Sequence, residues 1–216
     1  MEKAQFLNTL KEIKKDSKKR KFNQTIDLII NFKDLDLKKD SIDLFINLPH
    51  QKGKEIKVCA LVEDNLANKA KGIFNKIILK DDLPKLDKKQ IKNLAKEYDF
   101  FVAQGSAMGQ VATTLGRILG PLGKMPNPKV GAVITPETDL DSTIKKFKSL
   151  IRISTKNEKS IKCAIGKENM EEEQILNNIT TIYDQILHSL PKQEHNIKSI
   201  LLKLTMGKAL KVGEKK

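Results

Sequence analysis

Tryptophan is absent from this chain, and only 5% of its 216 residues are aromatic. A protein that binds single strands by stacking bases across a sheet usually carries more, so a nucleic acid bound here is expected to be read by shape and backbone. The two cysteines, Cys59 and Cys163, are too few for a disulfide framework or a cysteine metal cluster. A reducing compartment is their simplest home. No apolar run approaches the roughly 20 residues of a membrane span, and MEKAQFLNTLKEIKK lacks the apolar core and cleavage site expected of a secretory leader. His50, His188 and His195 have no metal-ligand spacing. No GxGxxG occurs, and no nucleophile elbow frames the serines.

Positive charge is what the chain has in excess. Its 41 Lys+Arg against 27 Asp+Glu leave +14 at neutral pH, which argues for a polyanionic partner, nucleic acid before an acidic membrane surface. With 39% hydrophobic and 31% charged residues the balance is that of a globular protein.

Hydropathy patterning changes style twice. Phe6, Leu7, Leu10 and Ile13 have helical spacing, followed by two alternating runs, Ile26 to Phe32 and Ile42 to Leu48. From Lys57 to Phe147 the strands become continuous apolar runs, KVCALV, KIIL, DFFVA and GAVIT, separated by helical stretches. That βαβα series predicts a parallel sheet covered by helices. After Ser149 the alternating style returns in LIRIS and IKCAI around the polar turn TKNEKS. A long helix through Ile175 to Leu190 follows, with Asn169 and Glu172 as its predicted capping box. SILLKL is the last strand. The fold class read from this is mixed, α/β and α+β. Residues 1–51 and 150–216 form a discontinuous α+β outer domain, and 52–149 an inserted Rossmann-like three-layer α/β domain.

Gly116 to Gly131, GRILGPLGKMPNPKVG, reads in two ways. It is either a basic, conformationally fixed loop near phosphates, using Arg117, Lys124 and Lys129, or a Gly/Pro-rich corner between helix and strand. It is not a P-loop, since Ile118 stands where the first glycine should be and Met125 replaces the magnesium-binding hydroxyl. Lys11 to Lys21 carries seven cations against Glu12 and Asp16 and runs into Lys21-Phe22-Asn23. At the far end of the chain, Thr205-Met206-Gly207 closes a strand. A phenyl ring, a thioether, a hydroxyl and bare backbone at one edge would suit the shallow RNA minor groove; ordinary core packing is the plainer alternative.

At these residues the chain resembles the ribosomal protein L1 family, which builds the mobile stalk of the large ribosomal subunit. The signature YDFFVAQGSAMGQVATTLGRILGPLGKMPNP carries the likeness, with KFNQT at 21–25, LPH at 48–50, AIGK at 164–167 and the terminal TMG, in order. NFKDLDLKKDS is more similar to the archaeal than to the bacterial branch. The resemblance implies a non-enzymatic protein without a cofactor, whose outer domain binds large-subunit ribosomal RNA. It also implies help in releasing exit-site tRNA, contact with other ribosomal components, repression of its own messenger RNA, and a cytoplasmic, ribosome-associated protein that is monomeric off the ribosome. Carried onto this sequence, the RNA-facing residues are Lys21, Phe22, Thr25, Gly166, Lys167, Thr205, Met206 and Gly207. The alternative is an enzyme that uses a nucleotide in the inserted domain, which the missing phosphate fingerprints disfavour.

Overall fold

The computed structural model describes residues 3–18, 20–36, 39–53, 55–155 and 158–213. Helix α1 (Lys3–Lys15) leads into β1 (Thr25–Phe32) and β2 (Asp43–Asn47). An alternating series follows: β3 (Val58–Val62), α2 (Asp64–Ala70), β4 (Lys76–Leu79), α3 (Lys88–Glu97), β5 (Phe100–Gln104), α4 (Met108–Leu122), β6 (Val133–Ile134) and α5 (Leu140–Ser149). Then come β7 (Leu150–Ser154), β8 (Ser160–Lys167), α6 (Glu172–Ser189), β9 (Ile197–Leu204) and β10 (Leu210–Lys211). The chain divides into two compact units, Met1–Lys54 with Ser149–Lys216, and Glu55–Lys148.

The first unit is built on an antiparallel sheet of order β10-β9-β1-β8. Along β1 every second residue, Ile26, Leu28, Ile30 and Phe32, is buried, as a pleated strand with one covered face requires. Their cover comes from Phe6, Leu10 and Ile13 of α1 and from Ile175, Ile179, Ile182 and Ile186 of α6. The Phe6 and Tyr183 rings meet edge to face at 6.2 Å. Asn178, fully buried on α6, ties the connector after β2 to β8 through its side-chain amide. Its Oδ1 accepts the His50 N–H at 3.0 Å, and its Nδ2 donates to the carbonyls of His50 at 3.1 Å and Ile165 at 2.8 Å.

LIRIS and IKCAI are strands, as expected, and β7 pairs with β2 in a two-stranded antiparallel ribbon. Across it Arg152 meets Asp43 with two charge-assisted hydrogen bonds, at 2.8 and 2.7 Å, and lies 5.2 Å from the centre of the Phe45 ring. One local expectation fails: the Asn169–Glu172 capping box is not formed. The Met170 N–H closes a turn on the Lys167 carbonyl at 3.0 Å, so α6 starts beyond that turn, with Glu171 at its N-cap and no side-chain cap. A box element forms instead at α3, where Gln90 Oε1 accepts the Asp87 N–H at 3.1 Å.

The second unit is a parallel sheet of order β4-β3-β5-β6. All five residues of β3 are buried, as a central strand covered on both faces demands. Half of the Gly116–Gly131 segment is helix: α4 runs on through Pro121 in its last turn and stops at Gly123, whose φ of +66° is left-handed. The Gly123 N–H bonds to Gly120 O at 2.8 Å and the Lys124 N–H to Leu119 O at 3.0 Å, a Schellman closure. Among the described residues no helix is long and apolar enough to cross a membrane.

Candidate nucleic-acid interface

The β-sheet of the first unit places chain segments 180 residues apart at one edge. Because β1 lies between β8 and β9, its first residue, Thr25, sits opposite Lys167 on one side, and Ile26 sits opposite Leu204 on the other. The turns that follow β8 and β9 are thereby brought to either side of Phe22–Thr25. Thr205 is tied to Thr25 three times: its N–H donates to Thr25 O at 3.0 Å, its hydroxyl accepts the Thr25 N–H at 3.0 Å, and the same hydroxyl donates to Thr25 O at 3.2 Å. A hydroxyl oxygen has two lone pairs, so one remains for an external donor.

Phe22 and Met206 are 52% and 61% exposed. Apart from Leu122 they are the exposed large hydrophobic residues among those described. Apolar side chains of this size on a monomer's surface point to contact with something else when they cluster. Lys21 is exposed beside Phe22, while Lys167 and Gly207 are half-buried. The Gly207 N–H closes its turn on Leu204 O at 2.9 Å. Met206 lines a cleft of about 400 Å³ together with Ile13, Asp16, Lys18, Arg20, Lys208 and Leu210, a mixed lining in which three cations stand against one carboxylate. Lys19 lies outside the described residues.

Gly166 is buried in β8, and a Cβ there would fall 2.9 Å from Met170 Sδ and 3.3 Å from Ile175 Cγ1, so packing behind the strand also favours a residue without a side chain.

Sequence reasoning missed Gln24, Ser17 and Glu168. Gln24 is 1% exposed; its Nε2 donates to Ser17 Oγ at 2.9 Å and Glu168 Oε2 at 3.3 Å, and its Oε1 accepts the Met206 N–H at 3.2 Å. One signal was available. Residue 24 continues the inward register of 26, 28, 30 and 32, and a polar side chain at an inward position must find partners.

The second basic group is not brought together in the same way. Arg117 and Lys129 are exposed, on α4 and on the loop before β6. Lys124 is turned inward: its Nζ donates to the carbonyls of Ala95 and Tyr98, at 2.7 Å each, closing the last turn of α3. That is a helix-capping role.

The parallel sheet also bears on nucleotide chemistry. The chain moves from β3 outward to β4 and then back to β5 on the other side, so the crevice where such folds take ligands lies at the carboxyl ends of β3 and β5. A carboxylate occupies it. Gln104 Oε1 accepts the Glu63 N–H at 3.0 Å, Gln104 Nε2 donates to Glu63 Oε2 at 3.3 Å, and Lys80 reaches Glu63 Oε1 at 2.8 Å. Hydrogen bonds from Lys80 and Ser106 hold the Glu63 carboxyl below the usual range, keeping it charged. Among the described residues no group of three or more His, Cys, Asp or Glu is placed to hold a metal ion.

The Ribosomal protein L1p/L10e family matches residues 10–208. The chain is 38% identical to the large ribosomal subunit protein uL1 of Nanoarchaeum equitans, over 92% of this chain and 95% of that one. It is 35% identical to the uL1 protein of Thermococcus kodakarensis over 98% of both chains, and 40% identical to that of Thermofilum pendens over 90% of this chain and 86% of the other. Likeness at this level across nearly the whole length, on a mixed α/β fold with a parallel sheet in one unit, leaves one assignment: the chain belongs to the Ribosomal protein L1p/L10e family, structural proteins of the large ribosomal subunit and not enzymes.

Proposed function

We propose that the first unit binds large-subunit ribosomal RNA through Lys21, Phe22, Thr25, Lys167, Thr205, Met206 and Gly207, with Gly166 shaping the β8 turn from behind. The observation that carries this reading is that the two segments bearing the exposed apolar side chains Phe22 and Met206 are joined by the Thr25–Thr205 bonds, with Met206 in a cleft whose lining includes Lys18, Arg20 and Lys208. Apolar groups that pack on sugars, a hydroxyl with a free lone pair and cations for phosphates suit the wide, shallow minor groove of folded RNA. Within the second unit, Arg117 and Lys129 are the candidate phosphate contacts.

On the same reading the protein assists release of tRNA from the exit site and represses its own messenger RNA. A messenger that folds into the shape of the ribosomal target would compete for the one face. The protein is then cytoplasmic, bound to other ribosomal components, and monomeric when free. The test is titration of the full chain with a stalk ribosomal RNA fragment and with an unrelated hairpin, together with co-sedimentation from extract. Preference for the stalk fragment, and sedimentation with large subunits, is the expected result; equal binding of both RNAs overturns the reading.

A further inference from the structure

We propose that Gln24 is the positioning residue of this interface: its buried carboxamide sets the Thr205–Gly207 turn in one geometry against Phe22–Thr25. The inference rests on the RNA reading above. At 1% exposure Gln24 cannot itself be a principal RNA contact. Yet it joins four segments: the end of α1 through Ser17, the entry to β1 on which it stands, the turn after β8 through Glu168, and the turn after β9 through the Met206 N–H. Its own carbonyl accepts the Glu168 N–H at 2.9 Å.

The orientation of the amide is dictated by its partners. A carboxylate can only accept and a backbone N–H can only donate, so Nε2 must face Glu168 and Oε1 must face Met206. Ser17 Oγ also reaches the other Glu168 oxygen at 3.4 Å, so the anchoring carboxylate is held at both ends. Met206, 61% exposed, owes its placement to its backbone, and that backbone is held from beneath by Gln24. Only a side chain of glutamine's length with both a donor and an acceptor makes all of these bonds.

The full-length protein, Gln24→Met, Gln24→Glu and, as a control for the interface itself, Phe22→Ala are titrated with the stalk ribosomal RNA fragment and an unrelated hairpin across a salt series. Methionine keeps length and apolar volume but removes both polar ends. It removes all three side-chain bonds and is expected to weaken stalk binding about tenfold, a part of their combined net strength. Binding to the unrelated hairpin and the salt slope should stay unchanged, because every cation that faces a phosphate is kept. A role in stability alone would not separate the two RNAs.

Glutamate keeps the acceptor toward Met206 and loses the donor, placing a second carboxyl against Glu168. Asp16 also faces this cleft, as do the cations Lys18, Arg20 and Lys208. Burial and the Glu168 charge raise the pKa of a carboxyl at 24. Gln24→Glu should therefore bind weakly at pH 8 and recover toward wild type near pH 5, relative to wild type at each pH. If Gln24→Met fails to fold, this rescue decides. Wild-type affinity in Gln24→Met, an equal loss on both RNAs, or a Gln24→Glu defect independent of pH overturns the proposal. If wild type and Phe22→Ala bind both RNAs alike, the interface reading fails first and the role of Gln24 falls with it.

Discussion

The Thr205 hydroxyl accepts the Thr25 N–H at 3.0 Å and donates to the Thr25 carbonyl at 3.2 Å, closing β1 against the end of β9. One oxygen thus ties the two strands together and keeps a lone pair, which the proposed interface would offer to RNA. Thr205→Val removes both bonds at nearly constant volume. It should cost about 1 kcal/mol of stability and weaken stalk RNA binding by a further 1–3 kcal/mol or so, the penalty of an RNA group left unpaired. Thr205→Ser keeps the hydroxyl and should bind as wild type. Denaturant titration and RNA titration of both variants check this; valine binding as tightly as serine removes Thr205 from the interface.

Phe22 and Met206 expose over half of their surface, so truncation leaves no cavity. Phe22→Ala and Met206→Ala should leave stability within about 0.5 kcal/mol of wild type by denaturant titration. Each should weaken RNA binding by about 1 kcal/mol or more as its packing on sugar is removed. A fall in stability without a fall in affinity would make them ordinary packing residues.

Lys18 and Arg20 line the cleft beside Met206, and on the proposed reading they should supply attraction rather than recognition. Lys18→Gln with Arg20→Gln should flatten the dependence of log K on log salt by about 0.7–0.9 for each phosphate no longer neutralised. Specific and unrelated RNA should weaken alike. A loss confined to stalk RNA at an unaltered slope assigns them direct readout.

Within the first unit the chain leaves and returns at neighbouring points: the Leu48 N–H donates to Ser149 O at 3.0 Å, and Lys52 Nζ reaches Leu150 O at 3.2 Å. We propose that 55–148 is a separable insertion. Replacing it with a short Gly/Ser linker adds little closure entropy, so the remaining chain should fold and keep its preference for stalk RNA. Circular dichroism and RNA titration of this chain, beside isolated 55–148, test it. Specific binding by the 55–148 fragment alone reverses the division of labour.

Burial pushes the thiols of Cys59 and Cys163 up to about 12, from an ordinary value of 9.0. Above pH 9 the unfolded chain loses these protons while the folded one keeps them, so stability should fall as pH rises from about 9 toward 12. Chemical denaturation at pH 8 and pH 10.5 measures the fall, and Cys59→Ala with Cys163→Ala should reduce it. At neutral pH both thiols should resist labelling until the chain unfolds.

Local pattern was enough for much of this molecule. Alternation in Ile26–Phe32 and continuous burial in KVCALV follow from whether one or both faces of a strand are covered, and that is written in the side chains themselves. Ordered motifs from KFNQT to TMG carried the family. Tertiary structure decided what depends on partners distant in the chain. Arg152 found Asp43 and Phe45, more than a hundred residues away, only because β7 lies against β2. Lys124 became a helix cap because α3 ends beside it, and Gly166 answers to Met170 behind it. Gln24 acquired its role only when four segments met around one amide. A residue's hydropathy is its own property and can be read one position at a time. A hydrogen bond belongs to two groups, and only the folded chain says which two.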